Sequence, residues 1–162
     1  MVDEVARRRG ARLDRVECNA AVGESDGGAL WLARPRTYMN RSGYAARCLA
    51  ERHGFEPGEL LVVYDEVALP LGRLRLRPGG SPGGHRGLGS VIGELRSSEV
   101  PRLRLGIAGE VPPEDLVGYV LSPFAGDEAA TAGAMVERGA DACEAWFEEG
   151  IEAAMNRFNA SP

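Results

Sequence analysis

The chain has 162 residues, of which 44% are hydrophobic and 27% charged, a composition typical of one globular domain with a substantial core. Its formal net charge of −5 argues against a protein that coats nucleic acid with its whole surface, so an RNA or DNA partner would need a local basic patch. No apolar run approaches the roughly 20 residues of a membrane span, and the N-terminus lacks the apolar core of a signal peptide. We therefore expect a cytoplasmic protein without a membrane partner.

The cysteines and histidines argue against a disulfide framework and a metal site. Cys18, Cys48 and Cys143 are far apart and odd in number, and we expect small buried side chains. Only two histidines are present, His53 and His85, so a metal site with several histidine ligands is not expected.

The first half of the chain alternates between helix and strand signals. Residues 2–9 are predicted to form the end of a helix. Residues 16–35 read as two strands around a tight turn at Asp26-Gly27-Gly28, where glycine supplies the positive φ angles. Residues 40–54 predict a helix that ends at Gly54, and residues 59–66 a buried strand that brings Asp65 to its C-terminal edge.

The second half predicts two basic strands and three helices. Residues 72–78 and 101–109 alternate with period two, which is typical of strands. After Pro112 and Pro113 we expect a short helix or turn at 114–121, then a long amphipathic helix at 126–150 and a last one at 151–158. Strands separated by helices indicate one α/β domain over residues 1–162.

The basic strands place arginines on one face. Arg73, Arg75 and Arg77 share a side of the first strand, and Arg102 and Arg104 repeat the pattern on the second. Arginines in this arrangement bind phosphate through bidentate hydrogen bonds, although the same pattern also fits a solvated strand face.

Four further features could each take part in binding or catalysis, but each also has a purely structural explanation. The glycine-rich loop at 79–84 favours either backbone contacts to a ligand or a mobile surface turn. Asp65 could orient a histidine or merely be solvated, and Asn40 could cap a helix or bind a substrate carbonyl. His85 follows the loop but forms no active site without partners, whereas His53 near a helix end is expected to be structural or solvated.

Several segments together resemble the bacterial-type peptidyl-tRNA hydrolase family. They are Tyr38-Met39-Asn40-Arg41-Ser42-Gly43, Asp65-Glu66 before Leu69-Pro70-Leu71-Gly72, and the Gly-Gly-His-Arg-Gly loop at 83–87. The similarity continues through 101–109 and 117–124 to the C-terminal helix. It implies a mixed twisted β-sheet flanked by helices, with a long C-terminal helix.

The resemblance also implies an activity. Members of this family cleave the ester between a peptide and the tRNA 3′ end, without metal or cofactor, as cytoplasmic monomers that recycle tRNA during translation. An aspartate that matches Asp65 orients the catalytic histidine, and an asparagine that matches Asn40 positions the substrate or the tetrahedral centre. The implied substrate-binding residues are Tyr38, Met39, Asn40, Gly83, Gly84, His85 and Arg86; those implied to face phosphate of the tRNA acceptor stem are Arg75, Arg77 and Arg104.

Two departures from the family pattern matter. The chain opens at Met1-Val2-Asp3, just after the position of the segment that carries the family's catalytic histidine and one interior strand. We therefore expect a gene product that begins roughly 20 residues or more upstream. Arg86 also stands where many relatives carry asparagine. The alternatives are a non-catalytic RNA-binding protein of the same fold and a gene fragment.

Overall fold

The protein folds into two three-stranded β-sheets with helices packed on them. The computed structural model describes residues 1–109, 115–124 and 126–160. The strands are β1 (Arg15–Glu17), β2 (Ala20–Ser25), β3 (Leu30–Pro35), β4 (Val62–Pro70), β5 (Leu74–Arg77) and β6 (Arg102–Ala108). The helices are α1 (Val2–Arg8), α2 (Ser42–His53), α3 (Arg86–Leu95), α4 (Leu116–Leu121), α5 (Glu128–Glu149) and α6 (Ile151–Phe158). The α/β class expected from the sequence is confirmed.

The first sheet is an antiparallel meander, β1-β2-β3. The turn at Asp26–Gly28 lies between β2 and β3 as predicted. The segment before it is two strands rather than one, because Cys18 and Asn19 both adopt positive φ angles, 51° and 56°, and reverse the chain. Asparagine tolerates this conformation better than most residues, which is the one local signal for the turn.

The second sheet has the order β4-β6-β5, with β4 parallel and β5 antiparallel to β6. The period-two pattern of β5 is confirmed, since Leu74 and Leu76 are buried while Arg75 and Arg77 are exposed. Leu76 and its register partner Leu103 are fully buried against α5 and α6.

Strand β4 is longer than the sequence predicts. It continues to Pro70, so Asp65 lies within the strand and not at its C-terminal edge. The pairing of β4 with β6 is regular as far as Glu66 and shifts before Pro70. Irregular pairing of this kind bends a strand and redirects its side chains. Asp65 lies in the regular part of the strand, one residue before the last regular pair.

The strands form two small sheets that share no ladder in the described residues, where the resemblance implies one mixed sheet. An apolar groove of about 690 Å³ lies between β3 and β4, with α2 along one side and α5 along the other. Leu32, Leu49, Val63 and Trp146 are among the residues that line it.

Helices α2 and α3 join the two sheets by a close contact. A Cβ atom on Gly43 of α2 would lie 2.1 Å from the Ser90 carbonyl oxygen of α3, so only glycine allows this approach. The Gly43 amide also donates to Ser90 Oγ at 3.0 Å. The contact places the start of α2 beside the start of α3.

The expectation that all three cysteines are small buried side chains is wrong for Cys18 and Cys48. Cys18 in the β1–β2 turn and Cys48 in α2 form a disulfide, with their Cα atoms 5.7 Å apart. The turn packs against α2, which brings together two residues 30 positions apart in sequence. Cys143 is a free thiol, and burial raises its pKa to about 12.

The C-terminal part follows the prediction closely. α5 and α6 occupy nearly the ranges that the sequence indicates, and α4 occupies most of the range predicted for a short helix or turn at 114–121. Pro112, Pro113 and Glu114 lie outside the described residues. No helix within the described part of the chain is long and apolar enough to cross a membrane.

Candidate active site

The segment between β3 and α2 forms a short 3₁₀ turn, Met39–Arg41, at the mouth of the groove. Met39 packs onto the start of α3, where a Cβ on Gly87 would lie 2.3 Å from the Met39 sulfur. Gly87 therefore permits a close contact between the Tyr38-Met39-Asn40 segment and the residues after the glycine loop. Tyr38 is 82% exposed and Asn40 is also exposed.

Asn40 does not cap α2, which excludes the structural alternative proposed for it. The helix begins at Ser42, its N-cap residue is Arg41, and no side chain caps it. The Asn40 amide has no hydrogen-bond partner among the described residues. It is therefore available to bind a carbonyl or an oxyanion.

His85 is the N-cap of α3. Its Nδ1 accepts a hydrogen bond from the Leu88 amide at 3.0 Å, and its ring stacks on Tyr64 with centroids 4.2 Å apart. Because Nδ1 is the acceptor, the neutral ring carries its proton on Nε2. Burial lowers the pKa of His85 below its ordinary value of 6.5, although the Asp65 and Glu66 carboxylates oppose this shift. His85 is therefore a neutral ring with an Nε2–H donor.

Asp65 lies next to Tyr64 in β4 and its charge acts on His85. It is half-buried, and its carboxylate has no hydrogen-bond partner in the described ranges. The neighbouring Glu66 is different, since it accepts two hydrogen bonds from Arg104, at 2.9 and 3.1 Å, and one from the Ala68 amide. Asp65 is thus the carboxylate that is free to orient a base.

A buried arginine fixes the glycine-rich loop. Arg102 is only 3% exposed, and its guanidinium donates to the Gly80 and Ser81 carbonyls, at 2.9 and 3.1 Å, and to Ser98. Its Nε donates to Val100. The loop is therefore held in place at 80–81 and is not simply mobile.

The distal end of that loop carries the predicted substrate contacts. Gly83 and Gly84 are exposed and have positive φ angles of 57° and 84°, with no atom within 4 Å of either Cβ position. Arg86 follows as the exposed first residue of α3, with no ion-pair partner among the described residues.

The predicted phosphate-facing arginines differ in their surroundings. Arg75 and Arg77 are exposed and have no salt bridge within the described part of the chain. Arg104 is the register partner of Arg75, but it is mostly buried and pairs with Glu66. Strand β5 therefore presents two arginines without a salt bridge in the described residues, whereas the arginine on β6 already has a carboxylate partner.

The structure thus brings Met39, Tyr64 and His85 to one end of the groove. Asn40 lines a second, shallower cleft of about 1240 Å³ beside it. Thr37 lines both, and its Oγ1 is buried without a hydrogen-bond partner in the described residues. Sequence reasoning missed Thr37 and Tyr64, and no local signal marks either side chain.

The other histidine, His53, has structural contacts outside the candidate active site. His53 Nε2 lies 3.0 Å from Glu17 Oε2, and its ring stacks on Trp31 with centroids 3.8 Å apart. His53 is therefore structural, as expected. Within the described ranges, no cluster of three or more histidine, cysteine, aspartate or glutamate side chains fits a metal ion.

The Asp65 carboxylate acts by its charge on the neutral His85 ring, and Met39, which precedes Asn40, packs on Gly87 at the start of the same helix. A carboxylate, an imidazole and an amide are the groups that hydrolases use for acid–base chemistry and oxyanion binding. A family model described as peptidyl-tRNA hydrolase matches residues 1–162. The chain belongs to the peptidyl-tRNA hydrolase family, as the sequence resemblance implied.

Individual relatives agree with this assignment. The chain is 44% identical over 162 residues to a peptidyl-tRNA hydrolase of Synechococcus sp. (strain JA-3-3Ab), covering 98% of this chain and 72% of that protein. It is 41% identical to one of Symbiobacterium thermophilum, covering 98% and 86%. The crystal structure of peptidyl-tRNA hydrolase from Acinetobacter baumannii superposes with a TM-score of 0.88 at 27% identity, covering 98% and 82%. All three are named as hydrolases, which does not favour the RNA-binding alternative.

Proposed function

We propose that this protein hydrolyses the ester bond between a peptide and the 3′ end of tRNA, and so recycles tRNA during translation. One observation carries the proposal. The Asp65 carboxylate, the Asn40 amide and the Nε2–H of His85 have no hydrogen-bond partner among the described residues, and the charge of Asp65 acts on His85. Polar groups that are left unpaired are available to bind reacting groups.

Asp65 is the proposed orienting residue. A carboxylate that accepts a hydrogen bond from a histidine fixes the tautomer of the ring and raises its basicity toward water. Neither histidine of the chain is placed to be that base: His85 uses Nδ1 to cap α3, and His53 pairs with Glu17.

Asn40 is proposed to stabilise the tetrahedral centre, with His85 as a second contact to substrate. An amide N–H and an imidazole N–H both stabilise a developing oxyanion, because they donate to negative charge without losing a proton. The exposed backbone of Gly83 and Gly84 suits a peptide bound without regard to its sequence. Tyr38, Met39 and Arg86 complete the proposed substrate contacts.

The tRNA contacts are proposed on the exposed face of β5. Arg75 and Arg77 offer guanidinium groups that are free to bind the acceptor-stem phosphates, since neither has a salt bridge within the described ranges. Arg104 would contribute by exchanging its Glu66 partner for phosphate. We further propose that residues 1–162 act as one domain, in a cytoplasmic monomer that needs no metal or cofactor.

The decisive experiment uses the protein purified at native length from its source cells, with its intact mass measured first. Its substrate is tRNA that carries a short peptide ester at the 3′ end. The Asp65→Asn variant should lose about 100-fold or more in kcat, because an amide orients the base poorly, while its affinity for tRNA is unchanged. Glu66→Gln is the matched control on the same strand and should retain more activity than Asp65→Asn.

Two results would contradict the proposal. Native-length protein that binds tRNA but releases no peptide would support the binding-protein alternative. Asp65→Asn with unchanged kcat would show that the unpaired carboxylate takes no part in the reaction.

A further inference from the structure

Strand β1 and helix α2 are joined at two adjacent residues. Glu17 faces His53, with Oε2 and Nε2 3.0 Å apart, and the next residue, Cys18, forms the disulfide with Cys48. The disulfide closes a chain segment of 30 residues, whereas β1 pairs with β2 over only three residues. The covalent bond is therefore a principal attachment of a short edge strand.

The same attachment forms one side of the cleft next to the candidate active site. Asn19 follows Cys18 in the turn, and its carbonyl accepts a hydrogen bond from the Arg36 amide at 2.8 Å. Asn19 and Arg36 line the cleft of about 1240 Å³ together with Tyr38 and Asn40. Cys18 is therefore the direct neighbour of a residue that lines the same cleft as Tyr38 and Asn40.

Cys18 and Cys48 are both half-buried, and Cys18 packs against the small cluster that β2 forms with α2. Neither residue belongs to the fully buried core, so local opening of the turn would expose both sulfur atoms to small thiols. Cys143 is a free thiol, and burial raises its pKa, which keeps it in the unreactive protonated form.

We propose that Cys18 and Cys48 are a reversible redox site, which attaches the β1–β2 turn to α2 when oxidised and releases it when reduced. The oxidant is a low-molecular-weight disulfide. One cysteine thiolate attacks it and expels one small thiol, and the second cysteine thiolate then attacks the mixed disulfide and expels the other. Both cysteines give up their protons, and the two electrons pass to the small disulfide, which leaves as two thiols.

The oxidised form has a more ordered cleft. Closing the 30-residue segment removes conformational freedom from the unfolded chain, and the attached turn restricts Asn19 and Arg36 in the folded one. A pre-ordered site pays less entropy on binding. Because this consequence rests on the proposed function, it predicts that oxidised protein binds an RNA acceptor-stem hairpin about three- to tenfold more tightly than reduced protein.

The test compares the wild-type chain in oxidising and reducing glutathione buffers. Thiol alkylation in denaturant, where Cys143 is also accessible, followed by mass measurement, should find one free thiol in the oxidised protein and three in the reduced one. Reduction should lower Tm by roughly 10 °C, given the length of the closed segment. Hydrogen exchange of the amides at residues 16–19 should accelerate on reduction, a readout that needs no RNA.

Two variants provide the controls. The Cys18→Ser/Cys48→Ser double variant should show the reduced Tm and the weaker RNA affinity in both buffers. Cys143→Ala should respond to the buffers as wild type does. If the double variant does not fold, the comparison of wild type in the two buffers still decides the proposal.

The outcomes separate this proposal from the proposed function. A wild-type protein with three alkylated thiols in oxidising buffer, or with the same Tm and exchange rates in both, overturns the redox site. Equal RNA affinity in both forms overturns the link to the cleft. If neither form binds RNA, the proposed function fails, while Tm and exchange still decide whether the cross-link forms and orders the turn.

Discussion

The two sheets of this protein are stabilised in different ways. The β4-β6-β5 sheet buries ten side chains in one cluster with α5 and α6, and Asn159 pairs with the backbone of Leu76 along its edge. The β1-β2-β3 sheet divides its burial between two smaller clusters, one of four residues with α2 and one of five with α1 and α5. An ion pair and a disulfide supplement the cluster with α2. One sheet therefore has a single large apolar cluster, whereas the other combines smaller clusters with specific contacts.

The candidate active site lies between these two regions. Asp65 belongs to the well-buried sheet, while Met39 and Asn40 follow the last strand of the other. Their relative position therefore depends on the α2–α3 contact at Gly43 and on the Met39–Gly87 contact. Stability and alignment of the site should respond to different substitutions.

The largest effect is expected from a core substitution in the well-buried sheet. Leu76→Ala should lower the free energy of unfolding by about 4 kcal/mol, because Leu76 is fully buried and leaves a cavity. Leu49→Ala on α2 is the matched variant and should cost about 2 kcal/mol, since Leu49 borders the apolar groove and loses fewer contacts. Urea unfolding measures both; equal losses would contradict the difference between the sheets.

The contact between the two regions gives the next largest effect. Gly43→Ala should cost about 2 kcal/mol, because its Cβ would overlap the Ser90 carbonyl and push α2 away from α3. Activity should fall further than stability explains, since Asn40 moves with α2. Activity at a temperature where the variant is fully folded separates the two effects.

A glycine in the neighbouring helix provides the control for that substitution. Gly93 lies within α3 and has no atom within 4 Å of its Cβ position. Gly93→Ala should therefore be neutral or stabilise the protein by up to about 1 kcal/mol through helix propensity. Destabilisation by both alanines would mean that the α2–α3 contact is not the cause.

The sequence predicted elements whose pattern is local. The alternation in β5, the Asp26–Gly28 turn and the C-terminal helices are all present, because each depends on spacing within a few residues. The Cys18–Cys48 disulfide was not predicted, since it depends on the packing of a turn against a distant helix. The end of β4 was also missed, because its last residues pair irregularly with β6.

Arg102 and Arg104 illustrate the limit at the candidate site. Both occupy the same face of one strand, so their sequence pattern is identical, yet Arg102 is buried among loop carbonyls and Arg104 pairs with Glu66. The partner of each side chain comes from a different part of the chain. Asp65 and Asn40 were selected by family resemblance, because each had an ordinary structural explanation on its own.

The smallest expected effect concerns His85, which couples the start of α3 to pH. Because burial lowers its pKa in the folded protein, the unfolded chain binds more protons in the window below 6.5. The contribution of His85 to stability is therefore complete above that value and is lost as the pH falls through the lower pKa of the folded state. Protonation of Nδ1 also removes the acceptor for the Leu88 amide.

His85→Asn isolates this effect, because asparagine is a good N-cap that does not titrate. The difference in unfolding free energy between wild type and variant should change by up to about 1 kcal/mol between pH 7.5 and pH 5, the value of one N-cap. Taking the difference cancels contributions that are common to both proteins. An imidazolium has two N–H donors and no acceptor, so a difference that is constant over this range would show that the Nδ1 cap contributes nothing to stability.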